Sequence, residues 1–355
     1  MEQSAVKAGS GRRWLYLDAV RVAAILLVLF IHSGRRGSYL YLDLEGSWTY
    51  WPALANGIFC WVAVPLFFMA SGALLLGREE SFGAVLRRFL RFGAVLLLVS
   101  ALQYLWQFHE DLSRVYLDFY LRTVYGSYME DTYWFLYTYL GYLLALPLLR
   151  RLAAAMRERD YGYMVLLYAA LKLLQALALL RWQGEVELNV SLQVFSAADY
   201  VFYPLLGHYL HRYMDETRLT GRNFLLLLAA SLAALTLNCL LVRYAMRVEA
   251  PQPGEYYRSF LYVVVITVYF GLQLLLTKHP PGEKAARVLH VLSECSFGVY
   301  LFESFLKLGT ERAYLALRPV LGALLSCWVW IALTFLLGCA VTWVLKKIPG
   351  LRRLL

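Results

Sequence analysis

Long apolar runs are the feature that most constrains the fold of this chain. A membrane-spanning helix needs about 20 mostly apolar residues, and ten stretches of the sequence meet this requirement. They lie at about residues 14–33, 52–76, 90–107, 133–149, 162–181, 194–211, 223–243, 257–277, 290–309 and 319–345. The sequence therefore predicts an all-α polytopic membrane protein, a single bundle of about ten transmembrane helices.

The composition agrees with this class. Of the 355 residues, 61% are hydrophobic and 16% are charged, whereas soluble domains carry about 25% charged residues. The net charge of +10 requires no nucleic-acid partner, because a basic inner rim suits anionic membrane lipids or an anionic cytoplasmic ligand. The cysteines are odd in number and lack metal-site spacing, so we expect neither a disulfide framework nor a metal. They are Cys60, Cys239, Cys295, Cys327 and Cys339.

The distribution of Lys and Arg predicts the orientation. With the N-terminus inside, the inner segments hold roughly twice as many as the outer loops, as the positive-inside rule expects. An even number of spans puts both termini in the cytoplasm. We predict a cytoplasmic tail at 1–13, a transmembrane domain at 14–345 and a basic cytoplasmic tail at 346–355. The first apolar run contains charged residues and no cleavage-site pattern, so a removable signal peptide is not expected.

Arg21 and His32 are the two ionisable residues that stand out in the first run. The eleven-residue separation turns a helix through about 1100°, only about 20° past three turns, and spans about 16 Å. Both side chains therefore project from one face, and Asp18, on the same face, is expected to hold the Arg21 guanidinium. Intramembrane ionisable residues usually serve a function. The alternative is that Arg21 snorkels to the inner headgroups and that His32 is an interfacial cap.

The spacing Arg21-x10-His32 resembles the R-x10-H signature of the acyltransferase-3 family of integral-membrane acyltransferases. Further stretches resemble motifs of this family in the same order. They are "VPLFFMASGALLL" (64–76), "VLRRFLR" (85–91), "YWFLYTYLGYLLALPLL" (133–149), "YVFYPLLGHYL" (200–210) and "FGVYLFESFL" (297–306). The resemblance covers residues 14–345, which would form an acyltransferase-3-like domain.

The resemblance implies transfer of an acyl group, often acetyl, from cytoplasmic acyl-CoA to a hydroxyl of an extracytoplasmic or lipid-linked glycan. It places the protein in the inner (plasma) membrane of the cell, in contact with membrane lipids, with no metal. The chemistry of the residues agrees, because guanidinium groups bind phosphates bidentately and neutral histidine suits proton abstraction near pH 7. The predicted site has Arg21, Arg87, Arg88 and Arg91 for the donor, His32 as base, and Ser71, Trp134, Tyr137 and Tyr300 for substrate.

Two positions depart from the family pattern. Thr132 stands where many members have His before the WFL motif, and Glu303 replaces the His of the YL-x-H stretch. Glu303 would orient or charge His32 if their helices meet, and a different acceptor or a lost activity is an equal alternative. Activation of the acceptor by His32 and transfer through an acylated His32 are both compatible with the pattern.

Other readings stay open at this point. A small-molecule transporter or sensor on the same scaffold is the main alternative function, and a structural or regulatory membrane protein is the third. Mid-helix Lys172 and Gln175 are expected to pack in the interior or to line a tunnel. The outer segment 108–132 suits either a sugar-binding lid or a plain amphipathic surface helix. The oligomeric state is not predicted.

Overall fold

The computed structural model describes residues 14–111, 113, 115–192 and 199–354, and these residues form helices, turns and loops. The α-helices are α1 Leu15–Ile31, α2 Tyr50–Cys60, α3 Ala63–Leu75, α4 Phe82–Gln107, α5 Leu117–Gly126, α6 Trp134–Ala155, α7 Glu158–Trp182, α8 Asp199–Tyr213, α9 Gly221–Arg247, α10 Leu261–Lys278, α11 Glu283–Leu345 and α12 Pro349–Arg352. The predicted all-α class is confirmed for the described part of the chain.

Six helical stretches among the described residues are long and apolar enough to cross a membrane. They are Tyr50–Leu75, Asp131–Ala155, Glu158–Trp182, Gly221–Arg247, Leu261–Lys278 and Glu283–Leu345. The count of ten spans and the cytoplasmic location of both termini stay predictions. The predicted tail 1–13, residues 194–198 of the sixth predicted span and the C-terminal residue 355 lie outside the described residues.

The last two predicted spans, 290–309 and 319–345, form one helical hairpin within α11. The sequence places the break between residues 309 and 319, but the helical run continues to Gly322, where φ is 74° and ψ is 168°. Only glycine adopts this conformation at low cost, so the chain reverses at this position. The two arms then pack antiparallel, and the hydroxyls of Thr310 and Thr334 lie 2.7 Å apart. The hairpin brings residues of its first arm against α1.

Helix α1 is central to the bundle, where it packs against α2, α3, α10 and α11. Eleven of its 17 residues are buried. The side chains of Arg21 and of His32, which follows the helix, therefore lie within the protein rather than in lipid. Helices α3 and α8 cross closely: a Cβ at Gly72 would lie 1.9 Å from the Pro204 carbonyl oxygen, and one at Gly207 would lie 2.1 Å from that of Met69. Small residues permit such close packing of membrane helices.

The segment after α4 carries the short helix α5, Leu117–Gly126. None of its residues is buried, so α5 lies on the surface of the described structure. Its amphipathic sequence agrees with the surface-helix alternative. The Tyr120 hydroxyl donates to the carbonyl of Leu97 at 2.7 Å, which holds α5 against α4.

Candidate active site

His32 follows the last residue of α1, and its side chain contacts Glu303 on α11. The distance from His32 Nδ1 to Glu303 Oε1 is 2.5 Å. A carboxylate only accepts hydrogen bonds, so Nδ1 carries a proton, and in the neutral imidazole Nε2 then has the lone pair. Glu303 is 1% exposed, and its Oε2 lies 3.5 Å from Lys307 Nζ. The two helices therefore meet, as the orienting role of Glu303 requires, and the carboxylate holds His32 in the tautomer suited to a base.

A cavity of about 320 Å³ contains both His32 and Arg21 in its wall. We call it the histidine chamber. Its other lining residues are Val28, Val64, Phe67, Ser71, Arg91, Phe92, Thr132, Trp134, Phe135, Tyr139, Ser293, Glu294, Ser296, Phe297, Tyr300 and Lys346. Because α1 is continuous from Arg21 to Ile31, His32 lies about 16 Å along the axis from Arg21. One chamber thus spans the distance between the predicted cation and the predicted base.

A second cavity of about 380 Å³ lies beside it, and we call it the arginine chamber. It is lined by Arg21, Ser71, Leu74, Leu75, Arg87, Arg88, Arg91, Phe92 and Tyr139. Five of these residues also line the histidine chamber, namely Arg21, Ser71, Arg91, Phe92 and Tyr139. The shared walls make the two chambers neighbours, with four guanidinium groups at one end and the imidazole at the other.

The four guanidinium groups of the arginine chamber differ in their partners. Within the described part of the chain, Arg21 forms no ion pair, whereas Arg88 makes two hydrogen bonds of 3.0 and 3.1 Å to Glu80. Arg150 also donates to Glu80 at 2.9 Å. Hydrogen bonding to Arg88, assisted by Arg150, lowers the pKa of Glu80 to about 2. The Glu80 carboxylate holds the Arg88 side chain in place, whereas the Arg21 guanidinium is available to bind an anionic ligand.

Asp18 does not hold Arg21, contrary to the expectation from helix spacing. Its carboxylate accepts a hydrogen bond from Ser293 Oγ at 2.8 Å, and His290 Nδ1 lies 3.9 Å from it. Both partners belong to α11, so packing between helices prevails over the local i to i+3 contact. The result leaves the Arg21 guanidinium in the cavity wall.

The structure brings most of the predicted substrate-contacting residues to the histidine chamber. Ser71, Trp134 and Tyr300 line it, whereas Tyr137 is not among the lining residues of either chamber. The Tyr137 hydroxyl donates instead to the carbonyl of Val124 at 2.8 Å. Residues two apart on a helix differ by about 200°, so Tyr137 points away from the face that carries Phe135 into the chamber.

Thr132 is a site residue that sequence reasoning treated only as a departure from the family pattern. Its hydroxyl is buried in the wall of the histidine chamber and has no hydrogen-bond partner among the described residues. Tyr300 donates its hydroxyl to the Thr132 carbonyl at 2.5 Å, which fixes this turn. A buried hydroxyl without a partner costs about 1–3 kcal/mol, so it is well suited to donate to a bound substrate.

Two further residues were missed. Tyr139 lines both chambers, and the only available signal was its position four residues after Phe135 on the same helix face. Lys307, the second partner of Glu303, lies one turn further along α11. The four-residue spacing of Lys307 from Glu303 can be read from the sequence. The importance of Glu303 depends on its contact with His32, which only the structure shows.

The fold and the site together define a multi-pass membrane protein with an arginine-lined chamber that leads to a half-buried histidine paired with a buried carboxylate. A family model for an acyltransferase domain, Acyl_transf_3, matches residues 14–347. The chain belongs to this family and is an acyltransferase, which confirms the resemblance drawn from its motifs. No curated protein and no solved structure matches the chain.

Proposed function

We propose that this enzyme transfers an acyl group, acetyl in the simplest case, from cytoplasmic acyl-CoA to a hydroxyl of an extracytoplasmic or lipid-linked glycan at the plasma membrane. The observation that carries the proposal is a single chamber that holds Arg21 and His32, with the arginine chamber beside it. A single helix, α1, then positions both Arg21, which would bind the acyl donor, and His32, which would act as the base.

The arginine chamber fits an acyl-CoA because its charges suit phosphates. Guanidinium groups bind phosphate oxygens bidentately, and Arg21 has no competing carboxylate among the described residues. Arg87 and Arg91 complete the cluster, and Arg88 is held in place by Glu80. With the phosphates at this end, a pantetheine arm of comparable reach to the 16 Å of α1 would bring the thioester toward His32.

His32 acts as general base in this proposal. The acceptor hydroxyl gives its proton to Nε2, and its oxygen attacks the thioester carbonyl. The Glu303 carboxylate, fixed on Nδ1, stabilises the imidazolium that forms. The carbon–sulfur bond then breaks, and the imidazolium returns the proton to the departing thiolate. The new ester keeps the acyl group, and free CoA is the second product.

The negative charge that develops on the thioester oxygen needs hydrogen-bond donors close to His32. Thr132 supports this role best, because its hydroxyl is buried, unpartnered among the described residues and in the chamber wall. The Trp134 indole and the Ser71 hydroxyl line the same chamber. Donors that are already in place stabilise such an oxyanion without reorganisation.

The test is acetyl-CoA binding and turnover by the purified full chain in lipid nanodiscs. Wild type should bind CoA and hydrolyse acetyl-CoA slowly in the absence of an acceptor. His32→Ala should lower turnover about 10²–10⁴-fold, the usual effect of removing a general base, with CoA binding retained. Wild-type turnover by His32→Ala, or no binding of CoA by the wild type, would overturn the proposal.

A matched control is His279→Ala. His279 follows α10 and lies outside the histidine chamber and the arginine chamber. This variant should keep wild-type turnover, so that a loss in His32→Ala is specific to the site.

A further inference from the structure

A third cavity, of about 350 Å³, lies between α7 and the loop that precedes α10, and we call it the lysine pocket. Lys172, in the middle of α7, lines it although this residue is only 6% exposed. The Lys172 ammonium lies 5.3 Å from the centre of the Tyr168 ring, and it donates no hydrogen bond among the described residues. Burying a cation without hydrogen-bond partners costs free energy. Because the ammonium faces a cavity, this cost indicates that a polar ligand binds there.

The lysine pocket carries charges of both signs, in contrast to the arginine chamber. Lys172 and Arg258 face three carboxylates in its wall, those of Glu187, Asp199 and Glu255. Four arginines line the arginine chamber, and no carboxylate does. A polyanion such as acyl-CoA therefore fits the arginine chamber only. The mixed donors and acceptors of the lysine pocket fit an uncharged molecule with several hydroxyls, since each hydroxyl both donates and accepts.

An aromatic cavity of about 270 Å³ continues from the lysine pocket, and we call it the aromatic chamber. Asp199 and Arg258 line both cavities. The rings of Trp61 and Tyr257 stack in its wall, with centroids 4.6 Å apart. Aromatic rings carry partial negative charge on their faces, and an aromatic wall suits the C–H groups of a sugar ring.

The aromatic chamber borders the histidine chamber through two shared residues, Val64 and Trp134. The three cavities thus form a row that leads from Lys172 to His32. In the predicted orientation the row opens at the outer loops, because residues 186–188 and six residues between positions 251 and 259 line the lysine pocket. This end is opposite to the arginine chamber.

We propose that the lysine pocket and the aromatic chamber bind the acceptor, an uncharged sugar, and direct one of its hydroxyls past Trp134 to His32. Lys172 and Arg258 donate to sugar oxygens, and Asp199 accepts from a sugar hydroxyl. Asp199 is held for this role by Tyr168, whose hydroxyl donates to its carboxylate at 2.8 Å. The inference rests on the proposed function, since it assigns the acceptor side of the same reaction.

The experiment measures transfer of labelled acetyl from acetyl-CoA to water-soluble n-butyl glycosides by the full chain in nanodiscs. The probes are the butyl glucoside, galactoside, mannoside and N-acetylglucosaminide. Lys172→Met and Asp199→Asn should each raise the KM for the accepted glycoside at least about tenfold, the loss expected for a charged hydrogen bond. The KM for acetyl-CoA and the rate of acetyl-CoA hydrolysis should not change. Lys284→Met, at an exposed lysine, is the matched control and should behave as wild type.

Three outcomes decide against the inference. An unchanged glycoside KM in a folded Lys172→Met or Asp199→Asn variant shows that the acceptor binds elsewhere. A wild-type enzyme that hydrolyses acetyl-CoA but acetylates none of the four glycosides refutes an uncharged sugar as acceptor and leaves the donor site standing. A wild type that neither binds nor hydrolyses acetyl-CoA refutes the proposed function, and the acceptor site falls with it.

Discussion

Replacing Glu303 by Gln tests the pairing at the centre of the site. The substitution keeps the size of the side chain and removes its negative charge. It also places an amide next to His32 Nδ1, and the amide can donate to Nδ1 as well as accept from it. Donation would move the proton of His32 to Nε2, the atom that the mechanism uses as base. We expect the variant to fold and to bind CoA, but to turn over slowly.

The size of the effect follows from the contact distances. Glu303 Oε1 lies 2.5 Å from His32 Nδ1, and the centres of the two charges are then about 4 Å apart. At an effective dielectric constant of about 20, their attraction is about 4 kcal/mol, or about a thousandfold in rate when it is lost from the transition state. Lys307, 3.5 Å from Glu303 Oε2, offsets part of this field. We therefore expect kcat to fall about 10²–10³-fold.

The assay is single-turnover acetyl transfer or acetyl-CoA hydrolysis in nanodiscs, with CoA affinity and thermal stability measured on the same samples. Glu311→Gln is the matched control, because Glu311 lies on the same helix and pairs with Arg36 at the surface. The control should keep wild-type kcat. If Glu303→Gln keeps wild-type kcat, or loses activity only through loss of CoA binding, the pairing does not serve the base and the reasoning is refuted.

Three further predictions concern other parts of the site. Arg21→Lys should raise the KM for acyl-CoA about tenfold with little change in kcat, because a point charge cannot reproduce the planar fork; an unchanged KM in steady-state kinetics would contradict this. Thr132→Val should lower kcat about 10²-fold, as loss of an oxyanion donor does, whereas Thr132→Ser should retain activity; equal rates for both would exclude the hydroxyl. Glu80 stabilises the fold above its unfolded pKa of about 4.5, and this contribution is lost as the pH falls toward its folded pKa of about 2. Thermal unfolding of wild type and Glu80→Gln should therefore differ at pH 7, begin to converge below about pH 4.5 and coincide near pH 2, and a constant difference would contradict it.

Local periodicity predicted the helical class and the shared face of Arg21 and His32, because both follow from the geometry of a single helix. It did not predict the partner of Asp18. That carboxylate had a suitable neighbour on its own helix, and its observed partner Ser293 is 275 positions away. Competition between local and long-range partners depends on how helices pack, and the sequence of one helix does not contain that information.

Thr132 and Tyr137 are two further residues whose hydrogen-bond partners the sequence did not predict. The motif that contains Tyr137 drew attention to its hydroxyl, but its helix face points toward α5 and Val124. Thr132 attracted notice only because it replaces a histidine, yet its hydroxyl is buried and has no partner among the described residues. Unsatisfied hydrogen-bonding groups become visible only when all neighbours are in place, so sequence alone does not reveal them.

The position of His32 at the end of α1 suits the charge requirements of the two substrates in the proposed reaction. A chamber lined by several arginines stabilises a polyanion and would lower the basicity of an imidazole placed among them. The structure separates the two by about three turns of helix and gives His32 its own carboxylate instead. Because α1 is buried on several sides by α2, α3, α10 and α11, this separation is held rigidly. In the proposed reaction, a base that must take a proton from the acceptor can then work next to a strongly cationic donor site.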